Sequence, residues 1–181
     1  ISALERAGAS LVARFLTSGE TALTLDLTGS RLSADEVAAV LLGARLRAWR
    51  HDAYRTKLSD EQKSSLEEIA VAGAADGAAS AWQREEAVAE GVEFTRQLVT
   101  EPANIIYPES FVARCNDRMS GTGLTLRVLD DVEMRALGIG ALLGVAQGSE
   151  RPARLLAIEW KGGAANAKPV AFVARISTGA G

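Results

Sequence analysis

His51 is the only histidine and Cys115 the only cysteine in 181 residues, so the common general base and the soft metal ligand each occur once. A lone imidazole can act as a general base near neutral pH. His51, however, stands late in a predicted helix beside Asp52, Trp49 and Arg50, with no serine or cysteine in an elbow context to activate. It reads as a surface or helix-end residue. Cys115, between Arg114 and Asn116 on a predicted helix, reads as a small structural residue. One histidine and one cysteine cannot build a zinc site of histidine or thiolate type. Carboxylates are plentiful, with pairs at Glu67–Glu68, Glu85–Glu86 and Asp130–Asp131. They fall at strand ends, helix starts and helix faces, and no spacing gathers several onto one metal pair. Asp131 is expected to N-cap the helix that follows it. GIGALLG, Gly138 to Gly144, is GxGxxxG and not the dinucleotide fingerprint GxGxxG. It follows a predicted short helix where the fingerprint needs a strand, so its glycines are expected to end a helix and let backbones pack closely. KPVAFVARISTGAG, Lys168 to Gly181, is a different case: an apolar strand runs into small residues, and in α/β enzymes ligands are held beyond strand ends.

The elements that must position these residues alternate in type. Residues 3–17 are helical in composition, with Leu4, Leu11, Val12 and Phe15 on one stripe. TALTLDLTG alternates Leu23, Leu25 and Leu27 against polar neighbours, which predicts a strand. Ser33 and Glu36 have capping-box spacing ahead of a helix carrying Val37, Val40, Leu41, Ala44, Ala48 and Trp49. LEEIAVA reads as a short strand, and Trp82–Val99 as a long helix with Val88, Val92 and Val99 on one side. Two prolines, Pro102 and Pro108, end helical structure there. Beyond them SFVARCNDRM predicts a helix, LTLRVLD a strand and DVEMRALG a short helix, while ALLGVAQGS, RLLAIEW and PVAFVA read as three strands. The pattern is α/β in both halves.

Composition is ordinary for a globular chain able to bury a core, 48% hydrophobic and 24% charged. A net charge of -3 and no basic run argue against a nucleic-acid partner; the charges of Arg45 to Arg55 spread around a helix. The single cysteine excludes an internal disulfide and fits a cytoplasmic origin. No 18-residue apolar run and no signal-peptide pattern occur, so no membrane partner is expected. The first residue is Ile1 and not methionine, so the chain is expected to be processed or a piece of something longer.

The stretch from Glu90 to Gly162 is more specific. Glu90, Gly91, Arg96, Leu98, Pro102, Asn104 and Pro108 follow EGxxxxRxLxxxPxNxxxP. Leu129, Asp130, Leu137, Gly138, Gly140, Ala141, Leu142, Leu143, Gln147, Gly148, Ser149, Pro152 and Arg154 follow in order, and then KPVAFV. This series closely resembles the leucyl aminopeptidase (cytosol aminopeptidase) family. SADEVAAVLLGARLRAWRHDAYRTK also resembles the last helix of that family's N-terminal domain, so the resemblance covers nearly the whole chain.

The resemblance implies an α/β architecture in parts. Residues 1–72 would be the latter part of a smaller N-terminal α/β domain, 73–100 a linker helix, and 101–181 the beginning of a mixed-sheet catalytic domain. It also implies a cytoplasmic homohexamer that removes N-terminal residues from peptides with two divalent cations, manganese or zinc. In that family one metal anchors the amine, both polarise the carbonyl, and a bridging water attacks. A lysine, and an arginine with bound bicarbonate, assist.

Carried over residue by residue, the resemblance leaves the site unfilled. The family's first metal ligands, a lysine and an aspartate, follow the PVAFV strand in a GKGxTFDTGG-type segment. Arg175 falls at the lysine position and, with a few residues dropped, Ser177 at the aspartate position, followed by Thr178 and Gly179. Arginine stays protonated and has no lone pair for a cation, and a serine hydroxyl is a weaker ligand than a carboxylate. The family's other ligands, in KxDMGG-type and NTDAEGR-type segments, have no counterpart in the chain. No catalytic, cofactor-binding or metal-binding residue is therefore assigned. The parent is expected to be a metallo-aminopeptidase, with these residues alone inactive and binding no metal pair. A non-catalytic scaffold or regulatory subunit is the rival, favoured by Arg175 and Ser177. Some family members are DNA-binding accessory proteins, a role the acidic balance does not support. A sheet ending at Val170–Val173 would leave an apolar edge open, so aggregation or dependence on a partner is expected of the isolated chain.

Overall fold

The computed structural model describes residues 2–164 and 166–174. Contacts divide the chain into two compact units, Ile1–Thr100 and Glu101–Gly181.

The first unit contains α1 (Ser2–Phe15), β1 (Ala22–Asp26), α2 (Ala34–Ala48), a short 3-10 turn (Asp60–Gln62), β2 (Glu68–Ala72) and α3 (Ala78–Thr100). β1 and β2 are parallel, with Leu23 opposite Ile69 and Leu25 opposite Val71. Parallel neighbours need a crossover, and α2 supplies it. Both strands alternate half-buried and exposed residues, so one face of the pair carries the leucines, Ile69 and Val71. α2 begins where the sequence indicates. The Ser33 N–H donates to Glu36 Oε2 at 2.8 Å, and the Glu36 N–H donates to Ser33 Oγ at 3.4 Å.

Two glycines set how closely α1 and α2 approach. A β-carbon built on Gly8 would overlap the Val40 carbonyl and lie 2.9 Å from the Ala44 nitrogen. One built on Gly43 would overlap the Glu5 carbonyl. The two helix backbones therefore touch through reciprocal notches. Val12, Leu16 and Ala44 form the core beside them, with Ala48, Leu66 and Ile69 packed against it.

α3 lies along α2. The Arg45 guanidinium donates to both Glu93 carboxylate oxygens, at 2.9 and 3.0 Å, and to Glu86 at 3.0 Å. Arg84 pairs with Asp35, and Arg96 donates to the Leu46 carbonyl in the last turn of α2 while lying over the Trp49 ring. The buried side of α3 is Ala81, Ala89 and Leu98. The expected valine stripe is not the packing face, for Val88 and Val99 are exposed.

The second unit contains α4 (Pro108–Met119), β3 (Thr125–Leu129), α5 (Asp131–Ala136), α6 (Gly140–Ala146) and β4 (Leu155–Glu159). Pro108 opens α4, where its missing N–H costs nothing. β3 and β4 are antiparallel, pairing Leu129 with Leu155 and Leu126 with Ile158. Leu129, Met134 and Ala153 form a small core, joined by Ile139, Leu142, Leu143, Ala146 and Leu155.

Two strand expectations are corrected in this unit. ALLGVAQGS is not a strand: Gly140–Ala146 is helical. A short apolar run does not distinguish strand from helix by periodicity, and Ala141, Leu142 and Leu143 are helix formers without β-branching. PVAFVA forms no ladder with any described strand, and the residues described there, up to Ala174, are exposed, Phe172 by 94% and Val173 by 97%. An apolar sequence becomes a strand only when a neighbour accepts its backbone hydrogen bonds.

Candidate functional site

The residues with chemical potential are scattered over both units. His51 lies just past the end of α2, not within it, between Trp49 (centroids 6.2 Å apart, stacked) and Tyr54 (5.5 Å, edge-on). Its Nε2 is buried without a hydrogen-bond partner. Asp52 beside it accepts from Arg50 at 2.5 Å and lies 3.7 Å from Arg55. The carboxylate nearest His51 in sequence is thus committed to arginines.

Cys115 is buried on α4, and burial pushes its thiol pKa up. A raised pKa keeps the thiol protonated, the opposite of what a nucleophile needs. The aspartate pair at the start of α5 works as a cap. The N-cap is Asp130 and not Asp131: the Glu133 N–H donates to Asp130 Oδ1 at 2.8 Å, and the Asp130 N–H donates to Glu133 Oε2 at 3.1 Å. Asp130, just after β3, has the extended backbone (φ -84°, ψ 179°) that an N-cap takes, so capping falls one residue earlier than the composition indicates. Asp131 instead lies 3.8 Å from Arg154, which is also 3.6 Å from Glu109. Glu86 is bound to Arg45, while Glu67 and Glu68 are exposed at the start of β2.

GIGALLG behaves as half of its expectation. Gly138 has φ +72° and stops α5, which a residue with a β-carbon adopts only under strain. Gly140 and Gly144 begin and continue α6, but a β-carbon on either would meet nothing within 4 Å. Close backbone packing at those two glycines is not found among the described residues.

The carboxyl pKa values tell the same story. Backbone and side-chain hydrogen bonds from Ser33 hold Glu36 below the ordinary carboxylate range. Thr28 lowers Asp26, and Lys63 lowers Asp60. Each is a local turn or cap in the first unit, and no carboxylate cluster accounts for any of them. Arg45 is raised, first by its bond to Glu93.

A metal pair needs several convergent oxygen or nitrogen donors. Among the described residues no three His, Cys, Asp or Glu side chains gather to hold one. They do not fit a dinuclear centre, and no catalytic step is derived through one. Arg175, Ser177, Thr178 and Gly179 lie outside the described residues. What composition missed is the Arg45–Glu86–Glu93 network; the seven-residue spacing of the glutamates, which puts both on one face of α3, was the available signal.

Several of the family-pattern residues have structural roles. Arg96 holds α3 to the end of α2, Leu98 and Leu129 are buried, and Pro108 and Asp130 start helices. Pro102 offers its carbonyl to the N–H groups of Ile105 and Ile106, making the turn into α4.

Residues 93–176 match the cytosol aminopeptidase family, catalytic domain. The probable cytosol aminopeptidase of Rhizobium etli is 40% identical over 173 residues, 94% of this chain and 35% of that protein. That of Caulobacter vibrioides is 42% identical over 176 residues, 96% of this chain and again 35% of the relative. A mutant of tomato leucine aminopeptidase shares the fold with a TM-score of 0.74 at 23% identity, over 87% of this chain and 32% of that one. The bottromycin maturation enzyme BotP, solved in complex with Mn, gives 0.70 at 30% identity over 86% and 32%. The chain spans about a third of the length of the relatives it matches, and within that span it is similar to cytosol aminopeptidases, residues 93–176 matching the catalytic domain of that family.

Proposed function

We propose that these residues are part of a metal-dependent aminopeptidase that releases N-terminal amino acids from peptides, and that they supply scaffold and not chemistry. The observation that carries this reading is the match of residues 93–176 to the family's catalytic domain, alongside roughly two-fifths identity to cytosol aminopeptidases through almost the whole chain. A structural relative bound to Mn supports a divalent cation in the parent; manganese or zinc used as a pair follows from the family resemblance. The names of the relatives support a cytoplasmic setting. The family resemblance supports a homohexamer acting on peptides. On this reading the 181 residues alone are expected to be inactive and to hold no metal pair, since Arg175 and Ser177 occupy the lysine and aspartate positions of the resemblance.

A second reading has one observation behind it. Arg175 and Ser177 stand where a lysine and an aspartate ligand would be, which favours a non-catalytic scaffold or regulatory relative. One assay separates the possibilities. The isolated chain and the full natural gene product are each given a leucyl amide with added manganese, then a chelator. The enzyme reading expects chelator-sensitive turnover from the gene product and none from the isolated chain. Chelator-sensitive turnover by the isolated chain overturns the scaffold assignment of these residues. An inactive gene product selects the non-catalytic reading.

A further inference from the structure

We draw no further inference here: the strongest candidate, the apolar groove of about 590 Å³ between α2, β2 and α3 of the first unit, lined by Leu41, Ile69, Val71 and Trp82, carries nothing, because no described residue shows what covers it in a chain that spans 35% of its relatives' length.

Discussion

The two units use glycine in opposite ways. In the first, Gly8 and Gly43 are the contact: each lies against the backbone of the facing helix, so the missing β-carbon is what permits packing. In the second, Gly140 and Gly144 sit in a helix with open space where a β-carbon would be. Both units leave apolar side chains exposed around a buried core: Val88 and Val99 in the first, around Val12, Val37 and Ala44, and Val132, Val145 and Trp160 in the second, around Met134. The first unit closes a helix interface within itself, and the second presents elements whose apolar sides are only partly used.

The largest expected effect tests the notch. Gly43→Ala would raise helix propensity by about 1 kcal/mol in an open helix. Here the added methyl meets backbone atoms of Glu5, which no rotamer change can move. Overpacking of this kind costs about 3 kcal/mol, because two helices must separate. Chemical denaturation followed by tryptophan fluorescence in a Trp160→Phe background, which leaves Trp49 and Trp82 of the first unit as the reporters, reads the loss. A variant as stable as the parent chain would mean that α1 and α2 are not in backbone contact.

Met134→Ala is the matching test in the second unit. Met134 is fully buried between Leu129 and Ala153, so truncation removes the centre of a small core and costs about 2–4 kcal/mol. Cys115, the single and buried cysteine, reports the result. In the same Trp160→Phe background, labelling by a thiol reagent is expected to quicken in Met134→Ala well below the denaturant concentration at which the tryptophan signal changes. Labelling that stays slow until the tryptophans respond would show that the units do not open separately.

A smaller effect belongs to the cap of α2. Ser33→Ala removes the hydroxyl that accepts from the Glu36 N–H, at a cost of about 1 kcal/mol. Glu36 is held below its ordinary pKa first by the Ser33 backbone bond and then by the Ser33 hydroxyl. A depressed carboxyl stabilises the fold above the ordinary carboxylate range and loses that contribution as pH falls through its folded value. In Ser33→Ala the Glu36 pKa is therefore expected to move up, and the acid side of the stability profile to flatten. A carboxyl titration of Glu36 by NMR checks it, and an unmoved midpoint would remove the hydroxyl from the account.

How far these features could be read before the fold follows from their range. The capping box of α2, the proline-started α4 and the period-two strand β1 are local, and their chemistry is complete within a few residues. The face of α3 was misread because valines outweigh alanines on any hydrophobic scale. What decides is the reach of Arg45 to Glu86 and Glu93 across the helix pair, which lies more than forty positions away in sequence. ALLGVAQGS was misread because a short apolar run has no intrinsic preference strong enough to choose. α6 forms because Leu142, Leu143 and Ala146 close on Met134. The candidate site was legible only through family resemblance, since residue types alone could say which ligands are lacking but not where ligands belong. The terminal strand shows the limit most plainly. PVAFV has the composition of a strand, but the backbone partners that would make it one are not among the described residues.

The smallest expected effect returns to the glycine contrast. Gly144→Ala in the isolated chain adds a methyl to open space inside a helix and should stabilise the second unit by about 0.5–1 kcal/mol. The same substitution can be made in the full natural gene product, where the outcome depends on what packs against α6. If the gain persists there, Gly144 faces solvent in the whole protein too. If it becomes a loss, another backbone lies close to α6, and the second unit uses glycine as the first does, with the facing element supplied from outside these residues. Thermal melts of both forms, read as a difference between substituted and unsubstituted protein, distinguish the two. A loss already present in the isolated chain would contradict the open space seen at Gly144 and erase the contrast between the units.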